Sequence, residues 1–167
     1  MGRSRILLII AAVLGLGAGP AEPLHLRVVG VHDGDTITGL DDSKTQFKVR
    51  LDAIDAPELG QPFGQASKKA LSEKVFGKDV VVIVKTKDKF GRTVGHVMIN
   101  GRDVNLEMLE EGMAWHYAEY DKNKRLIAAE QESRAEKRGL WQDAGAVRPS
   151  EWRSRAKESR LTVTPSK

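Results

Sequence analysis

The chain has 167 residues, enough for one domain with a real core, and 27 Lys and Arg against 23 Asp and Glu leave a net charge of +4. It contains no cysteine, which excludes disulfide frameworks, thiolate metal sites and cysteine nucleophiles. The positive balance is a weak argument for polyanionic partners, because part of it sits in the first few residues.

Arg3 and Arg5 precede an apolar run over residues 6–16, and small residues follow as far as Ala21. A charged head, a short apolar stretch and a small-residue exit predict an export signal over 1–21, hence a secreted or periplasmic protein. The run falls short of the roughly 20 apolar residues that a membrane span needs. Losing the signal removes both arginines and no acid, leaving a charge of +2.

Residues 24–31 are rich in branched apolar side chains and predict a first strand. His32-Asp33-Gly34-Asp35 reads as a tight turn in which Asp-Gly supplies a positive φ. A second strand is expected over 36–40, a polar turn over 41–44 and a third strand over 46–51. Two prolines and two glycines make 52–65 an irregular loop. In 65–76, Ala66, Ala70, Leu71 and Val75 share a helical face, and Gly77 ends it.

Residues 80–86 predict a fourth strand, 87–92 a turn, and 93–99 a fifth strand pairing back. Helical spacing returns at 104–111 and at 124–137, the latter stopped by Gly139, with Trp141 as a hydrophobic plug. Five strands, with one helix after the third and two after the fifth, predict an α+β, mainly β fold. The order fits a five-stranded Greek-key barrel with three helices. The domain is expected over 22–145, followed by a basic, flexible tail over 146–167 in which apolar periodicity fades.

Two segments concentrate chemistry: Asp33-Gly34-Asp35-Thr36, and residues 49–58, which contain Arg50, Asp55, Ala56, Pro57 and Glu58. If the first three strands curl into a barrel, Asp35, Asp55 and Glu58 converge. Carboxylates with a backbone carbonyl and water suit a hard divalent cation, calcium and magnesium alike. Arg50, and Arg92 in the turn before the fifth strand, offer planar guanidiniums that match phosphoryl oxygens. Taken singly, each motif also fits a turn, a salt-bridge partner or a capping role. His32, His96 and His116 lack a metal-ligand pattern and read as packing or surface residues. Lys85, Lys87 and Lys89 fit a solvated strand face as well as a phosphate-steering one.

The combination of Asp33-Gly34-Asp35-Thr36, Val49-Arg50-Leu51 with Asp55-Ala56-Pro57-Glu58, and Lys89-Phe90-Gly91-Arg92 resembles the staphylococcal nuclease family. The likeness runs over about 25–141 and continues in Val104-Asn105, Gly112-Met113-Ala114-Trp115 and Gly139-Leu140-Trp141. It implies an OB-fold barrel and calcium-dependent hydrolysis of DNA and RNA. Single strands are the expected preference, and nothing in the sequence demands more than a monomer or an obligate protein partner. The likeness further implies that Asp35, Asp55 and the Ala56 carbonyl hold calcium, that Glu58 activates water, and that Arg50 and Arg92 stabilise phosphoryl charge. Lys89, Tyr117 and Tyr120 are the expected substrate contacts, with Trp115 in the core. The sequence departs from the family at Ala56, where the founding nuclease has threonine, and at Phe90, which replaces a tyrosine. The alternative is a non-catalytic nucleic-acid-binding OB-fold module, against which stands the presence of all five polar residues. A secreted interaction domain with a purely structural calcium site is a third reading; it makes Arg50 and Arg92 dispensable.

Overall fold

A computed structural model describes residues 22–119 and 121–162, the last three as backbone only. The predicted export signal, Tyr120 and residues 163–167 lie outside the described residues.

The first three strands, β1 (Leu24–Val31), β2 (Thr36–Leu40) and β3 (Gln46–Leu51), form an antiparallel meander. In β1 alternation sends Leu26 and Val28 inward while Arg27 faces solvent, as a strand with one wet face requires. After β3 the chain turns sharply at Ala53, whose φ of 60° is left-handed, into the two-residue β4 (Ile54–Asp55). A loop leads to α1 (Gly64–Val75), then to β5 (Asp79–Lys87) and β6 (Thr93–Ile99). β5 pairs antiparallel with both β1 and β6. A parallel pairing of β3 with β6 closes the barrel, setting Val49 against Thr93 and Leu51 against Gly95.

Beyond the barrel, β7 (Arg102–Asp103) hooks onto β6 and leads into α2 (Val104–Glu110). Asp103 caps that helix, its side chain accepting bonds from the backbone N–H groups of Asn105 and Leu106. β8 (Trp115–His116) pairs with β4, α3 (Lys124–Ala135) follows, and a 3₁₀ turn (Gly139–Gln142) precedes α4 (Pro149–Thr162). The core is continuous. Ile37, Val49, Leu51, Val82 and Val97 fill the barrel, and Leu71, Val75, Met108, Leu109 and Leu126 pack the helices against it. Each such side chain contributes about 1.5–3 kcal/mol by leaving water. Asn105, fully buried, stitches α2 to the barrel: its amide donates to the carbonyls of Asp52 and Gly95 and its oxygen accepts from Val97 N–H.

The closed, mainly β barrel is the expected OB-type architecture, and the limits of β1, β2, β3 and β6 coincide with the predicted ones. The helix count differs. α4 forms where the sequence predicts a flexible tail without apolar periodicity, because its contacts come from a few residues around Trp152 rather than from a full apolar face. The loop predicted over 52–65 also contains β4, whose two residues are too few to carry a period. The role expected of Gly34 is corrected as well. It is not among the glycines with positive φ; instead, a Cβ there would lie 1.8 Å from Ser67 Oγ and 2.7 Å from Ala56 Cβ. Close packing of α1 and the residue 56 loop, not turn geometry, requires glycine.

Candidate active site

Barrel closure gathers the polar residues at one rim. Thr36 pairs with Arg50 across β2 and β3, so Asp35, one residue earlier, sits beside the Arg50 side chain. Thr93 pairs with Val49 across the closing seam, so Arg92 arrives at the same rim. β4 adds Asp55, held by its pairing with Trp115. Glu58 follows in a loop fixed at its backbone: its N–H donates to Gln61 Oε1 at 3.2 Å and its carbonyl accepts from Gln61 N–H at 2.8 Å. Gly64 packs directly on that carbonyl, where a Cβ would approach to 1.9 Å.

These residues line an open cleft of about 550 Å³ with Asp33, Asp35, Arg50, Asp55, Ala56, Glu58, Lys89, Arg92, Tyr117 and Arg153 among its walls. Asp35 and Asp55 are buried, at 6% and 4% exposure. Asp35 is held on both oxygens: Oδ1 accepts from Thr36 Oγ1 at 2.9 Å and Oδ2 from Ala56 N–H at 2.8 Å. The Arg50 guanidinium bridges the two acids, ion-paired to Asp35 through Nη1 and to Asp55 Oδ1 through Nη2 at 3.0 Å. Arg92 is aimed by Asp88, which accepts from its Nε at 2.7 Å.

The charges are crowded. Burial, then the neighbouring Asp35 charge, pushes the Asp33 carboxyl up to about 6. Burial also raises Asp55, against the pull of Arg153 and Arg50. Burial alone would lower the Arg50 guanidinium, but Asp35 and Asp55 outweigh it and hold its pKa above the usual value. Several carboxylates forced together in an open cleft form a site that gains from additional positive charge.

All donors here are oxygens, which suits a hard divalent cation rather than a soft one. Among the described residues no three His, Asp or Glu side chains form a ready-made cage. Asp35 and Asp55 therefore supply two carboxylates, and a carbonyl and water would have to complete the shell. With that completion the residues fit the group.

Of the residues singled out in the sequence, Asp35, Arg50, Asp55, Ala56, Glu58, Lys89, Arg92 and Tyr117 all reach this cleft. Tyr120 lies outside the described residues, and Trp115 is in the core, edge-on to Trp141 at 4.4 Å between ring centroids. The sequence reading missed Arg153. Trp152, an aromatic isolated in an otherwise polar stretch, was the one signal that this segment docks.

A closed OB-type barrel with acids and guanidiniums at one rim belongs to the class of small β-barrels that handle oligonucleotides. Residues 48–143 match the family described as staphylococcal nuclease homologue, and the chain belongs to that family. It is 42% identical over 151 residues to a protein of Haemophilus influenzae described as an uncharacterized endonuclease, covering 90% of this chain and 84% of that one. It is 40% identical over 172 residues to the Escherichia coli protein ParB, covering 95% of this chain and 97% of that one. A staphylococcal-like nuclease of Arabidopsis thaliana is 42% identical over 108 residues, 65% of this chain but 33% of the plant protein.

Proposed function

We propose that this protein is an exported, calcium-dependent endonuclease that hydrolyses phosphodiester bonds of DNA and RNA, single strands in preference, as a monomer. Family membership supports the coarse reading, a nuclease acting on nucleic acid. The observation that supports metal-assisted hydrolysis is the convergence of Asp35, Arg50, Asp55, Glu58 and Arg92 in a single cleft; export, strand preference and monomeric state rest on the sequence.

In this reading Asp35, Asp55 and the Ala56 carbonyl hold calcium, which when bound supplies charge that offsets the negative phosphoryl group. Glu58, half-exposed at the cleft mouth, takes the proton of the attacking water. The new bond to phosphorus forms in line with the bond to the 5′-oxygen, which breaks as that oxygen leaves. Arg50 and Arg92 face the phosphoryl oxygens as their charge grows, where preorganised guanidiniums act most strongly. Lys89 and Tyr117 guide the strand along the cleft wall, and Tyr120 is the further expected contact.

The test is cleavage of single-stranded DNA by the chain from Glu22 onward in calcium, in magnesium and in chelator, beside Glu58→Gln. Calcium-dependent cutting is expected, reduced about 10²–10⁴-fold in the variant, the range of a lost general base. DNA retained in a gel shift but never cut would replace the enzyme with the binding-module reading.

A further inference from the structure

One guanidinium in the cleft has no part in that scheme. Arg153 stands on α4, beyond the residues 48–143 that the family covers. Its Nη1 lies 2.6 Å from Glu58 Oε1 and its Nη2 3.3 Å from Asp55 Oδ2, so it reaches the centre of the cleft. Lys157 follows one turn later on the same face, and the two line a hollow with Glu58 and Trp152.

The helix is anchored where it enters. Gln61 Nε2 donates to the Val147 carbonyl at 2.6 Å, and the Arg148 guanidinium lies 4.6 Å from the Trp115 ring centroid. Trp152 shares an apolar pocket with Pro57, Pro62 and Phe63. The basic edge is therefore presented to the cleft by packing. The cleft itself is lined by four acids, Asp33, Asp35, Asp55 and Glu58, and four bases, Arg50, Lys89, Arg92 and Arg153. A phosphate offers paired oxygens of the same geometry as a carboxylate, so Arg153 can exchange Glu58 for a phosphate without leaving its donors unmet.

We infer that α4 extends the nucleic-acid track of the cleft, with Arg153 binding a backbone phosphate next to the scissile one and Lys157 the phosphate after it. This rests on the nuclease reading of the same cleft. In the free protein Glu58 and Asp55 hold the place of the phosphate and keep the guanidinium positioned. Charged grooves that follow a strand in this way make binding steeply salt-dependent, and each phosphate contact adds its own share to the slope.

The experiment measures binding of a fluorescein-labelled phosphorothioate oligothymidylate, roughly 12 nucleotides long to fit the span of one OB fold, across a range of salt concentrations. The full chain is compared with Arg153→Gln, Lys157→Gln and Arg155→Gln. Arg155 lies on the opposite side of α4, paired with Glu151 at 2.6 Å, and serves as the charge control. Arg153→Gln and Lys157→Gln are each expected to weaken binding about three- to tenfold and to flatten the log–log salt slope by about 0.7, the single-strand value per phosphate. Arg155→Gln is expected to keep the parent slope. Equal slopes in all four proteins overturn the inference, as does tighter binding by Arg153→Gln, which would make α4 a block on the cleft. Circular dichroism confirming the helix in each variant excludes unfolding as the cause. If the parent chain neither binds nor cuts the strand, it is the nuclease reading that falls, and the inference with it.

Discussion

Asp52 and Asp55 are three residues apart, both buried, and both ion-paired, yet they stand in opposite kinds of surroundings. Asp52 accepts from Lys85 Nζ at 2.8 Å and has His96 Nε2 at 3.8 Å, while His96 Nδ1 meets Asp103 Oδ2 at 2.9 Å. Acids and bases alternate there, and each finds a partner. Around Asp55 the acids adjoin one another: burial, with the Asp35 charge, raises it against Arg153 and Arg50, burial and then the Asp35 charge raise Asp33, and Arg50 is shared between two carboxylates. Burial and pairing alone therefore do not mark a site. Like charges crowded at an open rim do, because such crowding opposes folding, is only partly offset by Arg50 and Arg153, and is relieved further by a cation that the cleft binds.

The contrast is broken most sharply by neutralising the two acids separately. Asp55→Asn is expected to reduce turnover at least about a hundredfold, the scale of a lost charge-stabilising group at a reacting centre. Because the folded protein holds the Asp55 pKa above its unfolded value, removing that charge near neutral pH is not expected to lower the melting temperature. Cleavage assays and thermal unfolding on one preparation check both halves, and a large loss of stability would put Asp55 in the structural class with Asp52. Asp52→Asn should do the reverse, lowering stability by about 0.5–1 kcal/mol since Lys85 is half-exposed, with turnover kept within about threefold. Urea unfolding measures it, and a collapse in activity would merge the two clusters.

The smallest effect is a pH dependence. The hydrogen bond that His96 donates to Asp103 raises its pKa above the ordinary 6.5, with help from the Asp103 and Asp52 charges against the effect of burial. Burial alone would raise Asp103, but His96 and the N–H groups of Leu106 and Asn105 outweigh it and hold Asp103 below 3.8. Protonated His96 thus contributes stability that is fully present below pH 6.5 and lost as pH rises through its folded value. Ionised Asp103 contributes above 3.8, and that share is lost as pH falls through its lowered value. The melting-temperature gap between the parent and His96→Gln should be widest below pH 6.5, at about 2–4 °C, and close as pH rises through the raised His96 value. A gap independent of pH would mean that packing, not charge, holds this cluster together.

The sequence revealed most where local rules act. Apolar runs bounded by polar turns placed the ends of β1, β2, β3 and β6, and Gly77, with φ of 69°, stopped α1 where expected. Most of the cleft was legible because all of its residues but Tyr117 and Arg153 cluster in three short segments, each placed at one rim by strand order. What stayed hidden depends on contacts distant in sequence. β4 and β8 are two residues each and exist only because Ile54 meets His116 and Asp55 meets Trp115. Gly34 looked like a turn glycine, whereas its requirement comes from Ser67, far along the chain. Arg153 lies in a polar helix whose docking rests on a few residues, and nothing periodic announces it.

The parallel seam between β3 and β6 carries a consequence for when the rim is assembled. Arg50 and Arg92 meet at one rim through that seam, so neither the meander that carries Arg50 nor the hairpin that carries Arg92 brings the two guanidiniums together by itself. The paired guanidiniums belong to no single segment of the polypeptide and come together only as the barrel shuts.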